Sequence, residues 1–287
     1  MSTAAGYITR QKRFRGVPVL TPIGRLVTAL LVFIGGMVEL FLATVSGIFH
    51  SIVDIRLGAV ERRVALMDFL EVVRQMQVVS WGAFWIAIIT VSSSGMVIAM
   101  ETVQQLKNFG MAQAFLGGGV AYATFREMAP VLTAVVATAS VASSMTAQIA
   151  SMKVTEQIDA IRAMGVDPIR YLVIPRVVAM TIMIPVLAVV ADYCGVAGGF
   201  VIASSHQIAI STYTNSIYQV VALQDFTGGI IKAFVFGIFI SLTACLRGMR
   251  SSGGAAGVGK ATISSVVTCI ILIYLFDTIL TAALWPS

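Results

Sequence analysis

The sequence predicts an all-α, polytopic membrane protein, and three observations predict it. First, 58% of the 287 residues are hydrophobic and only 11% are charged, whereas about 25% are charged in a typical globular domain. Second, the apolar runs are continuous and near the ~20 residues that cross a bilayer, unlike the short alternating segments of a β-barrel. Third, the basic residues lie beside the apolar runs, as the positive-inside rule requires, so the net charge of +6 does not indicate nucleic-acid binding.

Residues 1–25 form a basic lead-in, and residues 26–77 an interfacial helix with a cytosolic connector. The lead-in is rich in Arg and Lys and has no clear cleavage site, so we expect a cytosolic segment rather than a signal peptide. Leu26–Phe49 is apolar but contains Glu39, and both its flanks are basic. A helix lying in the cytosolic interface keeps both flanks on one side. A first membrane span is the alternative.

Residues 78–287 form a five-helix membrane domain. The first span runs outward, so the loop from Glu101 to Gly110, in which Lys107 is the sole basic residue, is external. The remaining spans then alternate, with the basic loops inside and Trp285 at the external interface. The five predicted spans are Val78–Met100, Gly117–Met152, Tyr171–Ser204, Ile230–Leu246 and Thr262–Leu284.

The second span carries charge and small residues. Arg126 and Glu127 either form an interfacial pair or, deeper, pair with other groups or line a cavity. Pro130 kinks or restarts the helix just after them. Small side chains at every fourth position let helices approach closely, so we expect this face to pack against another helix, from this chain or from a second copy. The two rows are Ala134, Thr138, Ala142, Thr146 and Ala139, Ser143, Ala147.

A short polar helix follows, over residues 153–167. Helical spacing places four apolar residues on one side and two carboxylates among small residues on the other. Gly165 suits a left-handed cap, and Asp167-Pro168 forces a turn. The polar side fits docking into the groove of a partner, or the helix is a solvated amphipathic linker. The two sides are Val154, Ile158, Ile161, Met164 and Glu156, Asp159, Ala160, Ala163.

No catalytic or metal-binding constellation is evident. Three cysteines lie in apolar stretches, and His206 has no neighbouring ligand set. Gly254, Gly259 and Lys260 fit part of a P-loop, but Ala261 stands where Ser or Thr would hold magnesium, so a flexible cytosolic hinge over residues 251–262 explains the glycines. Charges within the spans, such as Asp192 and Asp277, are too scattered for an obvious proton relay.

Several motifs carry a family resemblance over about Val78 to Trp285. They read Arg126-Glu127-Met128-Ala129-Pro130-Val131, Ala147-Gln148-Ile149 with Met152, Glu156-Gln157, Met164-Gly165-Val166-Asp167-Pro168 and Pro175-Arg176, and, towards the carboxyl end, Ala256-Gly257-Val258-Gly259-Lys260-Ala261-Thr262, Phe276-Asp277 and Leu280-Thr281-Ala282. The stretch resembles the MlaE/YrbE permease family, the membrane subunits of MCE-type lipid-transport ABC systems.

The resemblance implies an interfacial helix, five spans and a permease that pairs with a second copy or homologue around a lipid-accessible cavity, in the bacterial inner membrane. It also implies a cytosolic ABC ATPase that holds ATP and magnesium, whereas this chain has no cofactor, and an MCE-domain protein on the periplasmic side. The residues expected to couple to the ATPase are Glu156, Gln157, Asp159, Arg162 and Asp167. Those expected at the cavity or in helix packing are Glu127, Pro130, Thr138, Ser143 and Gln148.

Three departures from the family pattern bear on the cavity. The glycine before Pro130 is Ala129, an Ala-Gly-Arg-like triplet reads Thr138-Ala139-Ser140, and a family glutamate is Gln148. Roles that the family gives to the missing arginine and glutamate do not transfer to this chain.

The predicted function is the transmembrane subunit of an ATP-driven transporter that moves phospholipid or a related lipid between membranes. An ion-coupled secondary carrier that uses Asp192, Glu127 or Asp277 is one alternative. A non-transporting scaffold whose inner loop recruits partners is the other.

Overall fold

The structure, a computed structural model, describes residues 22–54, 59–107 and 112–286. Within these ranges the chain is helical and contains no strand. The helices are α1 Pro22–Asp54, α2 Ala59–Lys107, α3 Ala112–Ala123, α4 Ala129–Ala137, α5 Ser143–Val154, α6 Gln157–Ala163, α7 Ile174–Ser205, α8 Ile210–Val220, α9 Leu223–Met249 and α10 Gly254–Leu284. Most of the predicted lead-in, residues 1–21, lies outside the described residues.

Five segments are long and apolar enough to cross a membrane, which confirms the predicted fold class. They are Phe69–Gln105, Phe115–Val154, Ile169–Ser205, Leu223–Met249 and Gly254–Leu284. Within α1, the apolar segment Leu31–Gly47 is shorter than these five. The interfacial placement of α1 stays a prediction.

Two predicted loops are wrong at their edges. Helix α2 continues to Lys107, so the external loop begins seven residues later than expected, after residue 107. Helix α10 begins at Gly254, so most of the predicted glycine-rich hinge is the first two turns of a helix. At α2, polar residues extend the helix beyond the point at which hydropathy alone would end it. At α10, glycines, alanines and one lysine form helix before the apolar run begins.

The second span is not one regular helix. Two π-helical turns, Thr124–Met128 and Thr138–Ala142, separate α3, α4 and α5. Each π turn closes an i→i+5 hydrogen bond, such as Ala129 N–H to Thr124 O, and so takes up an extra residue. Pro130 lies in the first turn of α4, where its missing N–H is tolerated. The predicted restart of the helix at Pro130 is therefore confirmed.

The core is built on α7 and α9. Helix α2 packs along α7, α7 packs on α9, and α9 also contacts α5 and α10. Large apolar side chains such as Ile149, Met180 and Phe236 are buried where these helices meet. Glycines set the closest approach, since a Cβ built at Gly95 of α2 would lie 2.1 Å from the carbonyl oxygen of Gly195 in α7. In a membrane such close backbone contact drives helix association.

The Gly95→Ala variant should therefore lose stability, because the added methyl meets backbone that cannot rotate away. We expect a loss of about 1–3 kcal/mol, as for other overpacked sites, measured as a lower melting temperature in detergent. Gly119→Ala is the matched control, since its nearest neighbour would be Thr102 Cγ2 at 3.8 Å. Equal melting temperatures for the two variants would contradict the α2–α7 contact.

The bundle has two ends. The inner end, named from the predicted charge distribution, carries α6 and the turn between α9 and α10, where Ser251 Oγ donates to Ala150 O over 3.3 Å. The outer end carries α8 and the carboxyl end of α10, where Gln224 Nε2 donates to Leu284 O over 3.1 Å. The outer connection predicted over residues 205–228 is largely helical, because α8 packs on α3.

Candidate functional site

A buried lysine forms the centre of a charged network in the outer half of the bundle. Lys232 of α9 has no solvent-exposed surface. Its ammonium donates to Arg126 O (3.1 Å), Glu127 Oε2 (2.8 Å) and Thr281 Oγ1 (2.7 Å). It also lies 2.9 Å from Asp277 Oδ1. An ammonium has three N–H donors, so Asp277 is held mainly by charge while the other groups take the hydrogen bonds.

The local backbone explains why one of these acceptors is available. In a regular helix the carbonyl of Arg126 would accept from the N–H of residue 130, but that residue is proline and has no N–H. Pro130 therefore leaves the Arg126 carbonyl without its usual partner, and Lys232 Nζ donates to that carbonyl instead. This hydrogen bond joins the second and fourth spans.

A second ion pair lies beside the first. Arg126 Nε is 3.6 Å from Asp225 Oδ1, and its guanidinium lies over the Trp285 ring, 3.8 Å from the centroid. The Trp285 indole donates to Asp225 Oδ1 over 3.2 Å. The other oxygen of Asp225 accepts from Ala222 N over 2.9 Å, which caps the start of α9. We call Arg126, Glu127, Asp225, Lys232 and Asp277, with Thr281 and Trp285, the outer charge network.

The outer charge network ties together the second, fourth and fifth spans. Burying charge is costly, and the cost is offset when each ion is paired and hydrogen-bonded. Removing one partner of such a pair costs about 3–5 kcal/mol. The network therefore fixes how three spans meet at this end of the bundle.

The inner half of the second span has two faces. One row of small residues, which includes Thr138, is buried. Thr146 anchors it, since Thr146 Oγ1 is 2.9 Å from Ser265 Oγ in α10 and 3.2 Å from Ala244 O in α9. This row packs within the chain. The other side is exposed or half-buried and carries a polar stripe, made of Ser140, Ser143, Ser144, Gln148 and Ser151.

The polar stripe is a distinctive surface because it lies on a segment that spans the membrane. The hydroxyls of Ser140 and Ser143 donate back to their own helix, as Ser140 Oγ does to Val136 O over 2.8 Å. Small, internally hydrogen-bonded side chains of this kind let a neighbouring helix approach closely or line a polar cavity. The stripe faces out of the single chain.

Gln148 also contacts the third span. Arg176 of α7 is buried, with Nη1 donating to Leu172 O over 2.7 Å and Nη2 to Gln148 Oε1 over 3.5 Å. The Nε donor of Arg176 has no hydrogen-bond partner among the described residues. Gln148 is therefore a weak partner for a buried cation.

The Gln148→Glu variant should stabilise the protein, because a carboxylate is a stronger partner for the Arg176 guanidinium than an amide. Gln148 is exposed, so solvent screening limits the expected gain to about 0.5–1 kcal/mol, read as a higher melting temperature. Gln104→Glu, an exposed change on α2, is the control. A gain of equal size in the control would show that the effect is not specific to Arg176.

At the inner end, α6 is a seven-residue helix, shorter than the predicted 153–167. Ile158 is buried against the bundle, while Glu156, Gln157, Asp159 and the two alanines of the polar side are exposed. Met164 was placed on the apolar side, which is wrong: its side chain is 72% exposed. The helix ends at Arg162-Ala163, so Met164 leaves the helical face on which its spacing would place it.

Both ends of α6 have left-handed backbone. Gly165 has φ +80°, as predicted, and Glu156 has φ +60° at the helix start. For a residue with a Cβ this conformation costs about 1–3 kcal/mol, and such strain clusters at functional positions. Asp167 Oδ1 accepts from Ile169 N over 3.0 Å and so fixes the turn into the third span.

One ion pair links α6 to α5, and a second lies within α6. Asp159 is 2.9 Å from Lys153 Nζ and 3.4 Å from Arg162 Nη1. The hydrogen bond from Lys153, with the charges of both bases, holds the pKa of Asp159 below its ordinary value. This pairing is therefore intact above the ordinary carboxyl range and is lost as the pH falls through the folded-state pKa. Glu156 has no such ion pair among the described residues.

The predicted site residues separate into four places. Glu127 belongs to the outer charge network, Pro130 and Thr138 are buried inside the bundle, and Ser143 and Gln148 belong to the polar stripe. The five expected coupling residues lie together at the inner end, on α6 and the turn after it. Their roles stay predictions.

Lys232 is the residue that sequence reasoning missed, and the view that the charges within the spans are scattered is wrong. Hydropathy averaged over α9 hides a single lysine. The signal was nevertheless present, because an ionisable residue inside a membrane span is itself a mark of a functional position. Asp192 of α7 remains apart: it is buried, and its Oδ1 has no hydrogen-bond partner among the described residues.

Comparison with known proteins places the chain among permeases. The family described as Permease MlaE matches residues 72–283. A probable ABC transporter permease protein of Synechocystis sp. is 39% identical over 202 residues, which cover 70% of this chain and 76% of that protein. One from Rickettsia typhi is 37% identical over 215 residues, covering 75% and 83%. One from Pyropia yezoensis is 35% identical over 209 residues, covering 72% and 79%.

Proposed function

The chain belongs to the MlaE permease family and is an ABC transporter permease subunit, and on this premise we propose that it moves phospholipid or a related lipid between the inner and outer membranes of a bacterium. The proposed assembly contains a second permease copy or homologue, a cytosolic ATPase that binds ATP and magnesium, and an MCE-domain protein on the periplasmic side. This chain supplies the passage and the mechanical contact.

The observation that carries the proposal is the polar stripe, which the bundle leaves uncovered and which leads directly into the exposed helix α6. Hydrocarbon is a poor solvent for hydroxyl and amide groups, so a second permease chain facing the stripe would leave a polar-lined cavity between the two. A lipid headgroup needs such a lining, while the acyl chains are soluble in the surrounding apolar surface. Movement of α6 would act on that lining through α5.

Helix α6 supports the contact with the ATPase. With Glu156 just before it, the helix presents Gln157 and Asp159 to the cytosolic side that the charge distribution predicts. Its apolar residue Ile158 is buried against the bundle, and the ion pair between Asp159 and Lys153 links it to α5. A short helix whose apolar side packs on the bundle can transmit movement of the ATPase to the spans, which a solvated linker cannot.

The outer end supports a partner on the other side of the membrane. Helix α8 and the first residue of α9 expose large apolar side chains there: Ile210, Tyr218 and Leu223. Tyr218 is 84% exposed, and exposed apolar surface of this kind marks interaction sites. We assign this surface to the MCE-domain protein.

Purification of the chain from its membrane, with mass spectrometry of the bound proteins and lipids, tests the proposal. We expect an ATPase, an MCE-domain protein and phospholipid in the purified complex. The complex in proteoliposomes should then transfer fluorescent phospholipid only when ATP is present. Absence of an ATPase, or a complex free of lipid as expected for a scaffold, would overturn the proposal.

The Asp192→Asn variant distinguishes an ATP-driven transporter from the alternative, an ion-coupled carrier. A buried charge without a partner is costly, and the amide has the same shape as the carboxyl group, so we expect an unchanged melting temperature and ATP-driven transport within about twofold of the parent. A carrier that couples transport to protonation of Asp192 would instead lose transport altogether in this variant, both in the presence and in the absence of ATP.

A further inference from the structure

A basic cleft lies at the inner end of the bundle, and none of its lining residues belongs to the outer charge network, the polar stripe or α6. It encloses about 280 Å³ between α1, the end of α9 and the first turns of α10. Three cations line it, Arg247, Arg250 and Lys260. Serine hydroxyls from the connecting turn and from α10 complete the polar lining: Ser251, Ser252 and Ser264.

No carboxylate in the described part of the chain neutralises the cations of the cleft. Across residues 22–54, 59–107 and 112–286, no carboxylate forms an ion pair with any of the three. Arg247 instead donates to the neutral hydroxyl of Thr268 over 3.0 Å, and its Nε is a buried donor without a partner in this part of the chain. Like charges three residues apart on one helix, as Arg247 and Arg250 are, destabilise each other. An anion in the cleft would remove both costs.

Helix α1 shapes the cleft around these groups. The Phe33 ring lies 4.8 Å from the Arg247 guanidinium carbon, a cation–π contact that holds the arginine in place. Arg250 rests against Gly36, where a Cβ would lie only 2.1 Å from Nη2. The missing side chain at Gly36 is what gives the Arg250 guanidinium room beside α1.

The cleft continues into an apolar groove along α10. The groove, of about 590 Å³, shares Lys260 and Ser264 with the cleft. It is shallow and open, formed by one face of α10, and includes Ile263 and Val267, which are 69% and 51% exposed. A free phosphate ion would need only the cleft. An anionic head with an attached apolar chain fits both parts.

We propose that this cleft binds the phosphate-bearing headgroup of an anionic phospholipid in the inner leaflet, with an acyl chain in the groove along α10. Basic pockets between membrane helices on the cytosolic side are suited to such headgroups. Two guanidiniums supply forked donors for phosphate oxygens and the lysine supplies a third charge. The site rests on its own geometry and does not depend on which lipid the transporter carries.

Native mass spectrometry of the delipidated, purified protein tests the site. With phosphatidylglycerol or phosphatidylcholine added at equal concentration, we expect at least fivefold more bound phosphatidylglycerol. The double variant Arg250→Gln with Lys260→Gln changes two exposed residues and should reduce that preference to about onefold. The control Arg74→Gln with Lys153→Gln removes the same charge outside the cleft and should retain it.

Three results would overturn the proposal. The first is an unchanged phosphatidylglycerol preference in the cleft variant, and the second is an equal loss of that preference in the charge-matched control. The third is displacement of phosphatidylglycerol by inorganic phosphate at similar concentration and fixed ionic strength, because it would show that the cleft takes a soluble anion and that the groove contributes nothing.

Discussion

The Lys232→Met variant is expected to lose about 3–5 kcal/mol of stability and to lose lipid transport. Methionine fills a similar volume, but it leaves Glu127 and Asp277 facing each other without the ammonium that lies 2.8 Å and 2.9 Å from them. It also removes the donor to the Arg126 carbonyl. The measurements are the melting temperature in detergent, which should fall by roughly 10 °C, and ATP-driven lipid transfer by the reconstituted complex.

Two further variants separate ion pairing from packing. Lys153→Met makes the same change at a partly exposed lysine and should shift the melting temperature by only a degree or two, because exposed pairs contribute about 0–1 kcal/mol. The triple variant Lys232→Met, Glu127→Gln, Asp277→Asn removes the uncompensated carboxylates and should recover most of the stability. If it is no more stable than Lys232→Met alone, the unpaired charges are not the cause.

The Glu156→Lys variant is expected to reduce transport at least tenfold while ATP hydrolysis continues, which would show uncoupling. Glu156 is exposed at the inner end and starts α6 with φ +60°. Charge reversal there opposes the contact that we propose with the ATPase, and like charges across an interface cost several kcal/mol. The measurement is the amount of lipid moved per ATP hydrolysed by the reconstituted complex, with an unchanged melting temperature as evidence of folding.

Backbone strain and charge at this position can be distinguished. Asparagine tolerates left-handed backbone better than most residues, so Glu156→Asn removes the charge and keeps the conformation. We expect transport between that of the parent and that of Glu156→Lys. Glu101→Lys, an exposed reversal near the far end of α2, should leave the ratio unchanged. Full transport in Glu156→Lys would show that α6 is not the coupling contact.

The membrane spans were predictable because the hydropathy of each is averaged over many apolar side chains, so that a few polar residues do not change it. The ends of the helices were not predictable, because polar residues such as Glu101 and Lys107 continue α2 beyond the apolar run. The position of α6 was predictable from its charge and caps. Its register was not, since the short helix ends before Met164.

The spacing of the small residues in the second span also predicts its helix type. Positions four apart drift by about 40° per step around a regular α-helix, at 3.6 residues per turn. Ala134, Thr138, Ala142 and Thr146 nevertheless all lie on the buried face, because the π turn Thr138–Ala142 takes up an extra residue. A strict spacing of four over several turns therefore predicts an underwound helix.

The outer charge network was the least predictable part, for a different reason. Glu127, Lys232 and Asp277 are separated along the chain by whole spans, and no local spacing relates them. The packing of three helices decides which of these charged residues form ion pairs. From the sequence alone, one can say only that acids and bases buried in different spans of one chain are candidate ion-pair partners.

The ion pairs of Lys232 also bear on the order in which the charged spans are inserted into the membrane during synthesis. Synthesis runs from the amino end, so Glu127 and the Arg126 carbonyl are in the membrane before the fourth span brings Lys232. A charge within a span costs at least ~2.5 kcal/mol on insertion, and here an earlier span already holds a counter-charge for it. Asp277 follows in the fifth span and meets an ammonium that is already in place. Lys232 and Asp277 thus each enter a bilayer in which an earlier span already offers a partner.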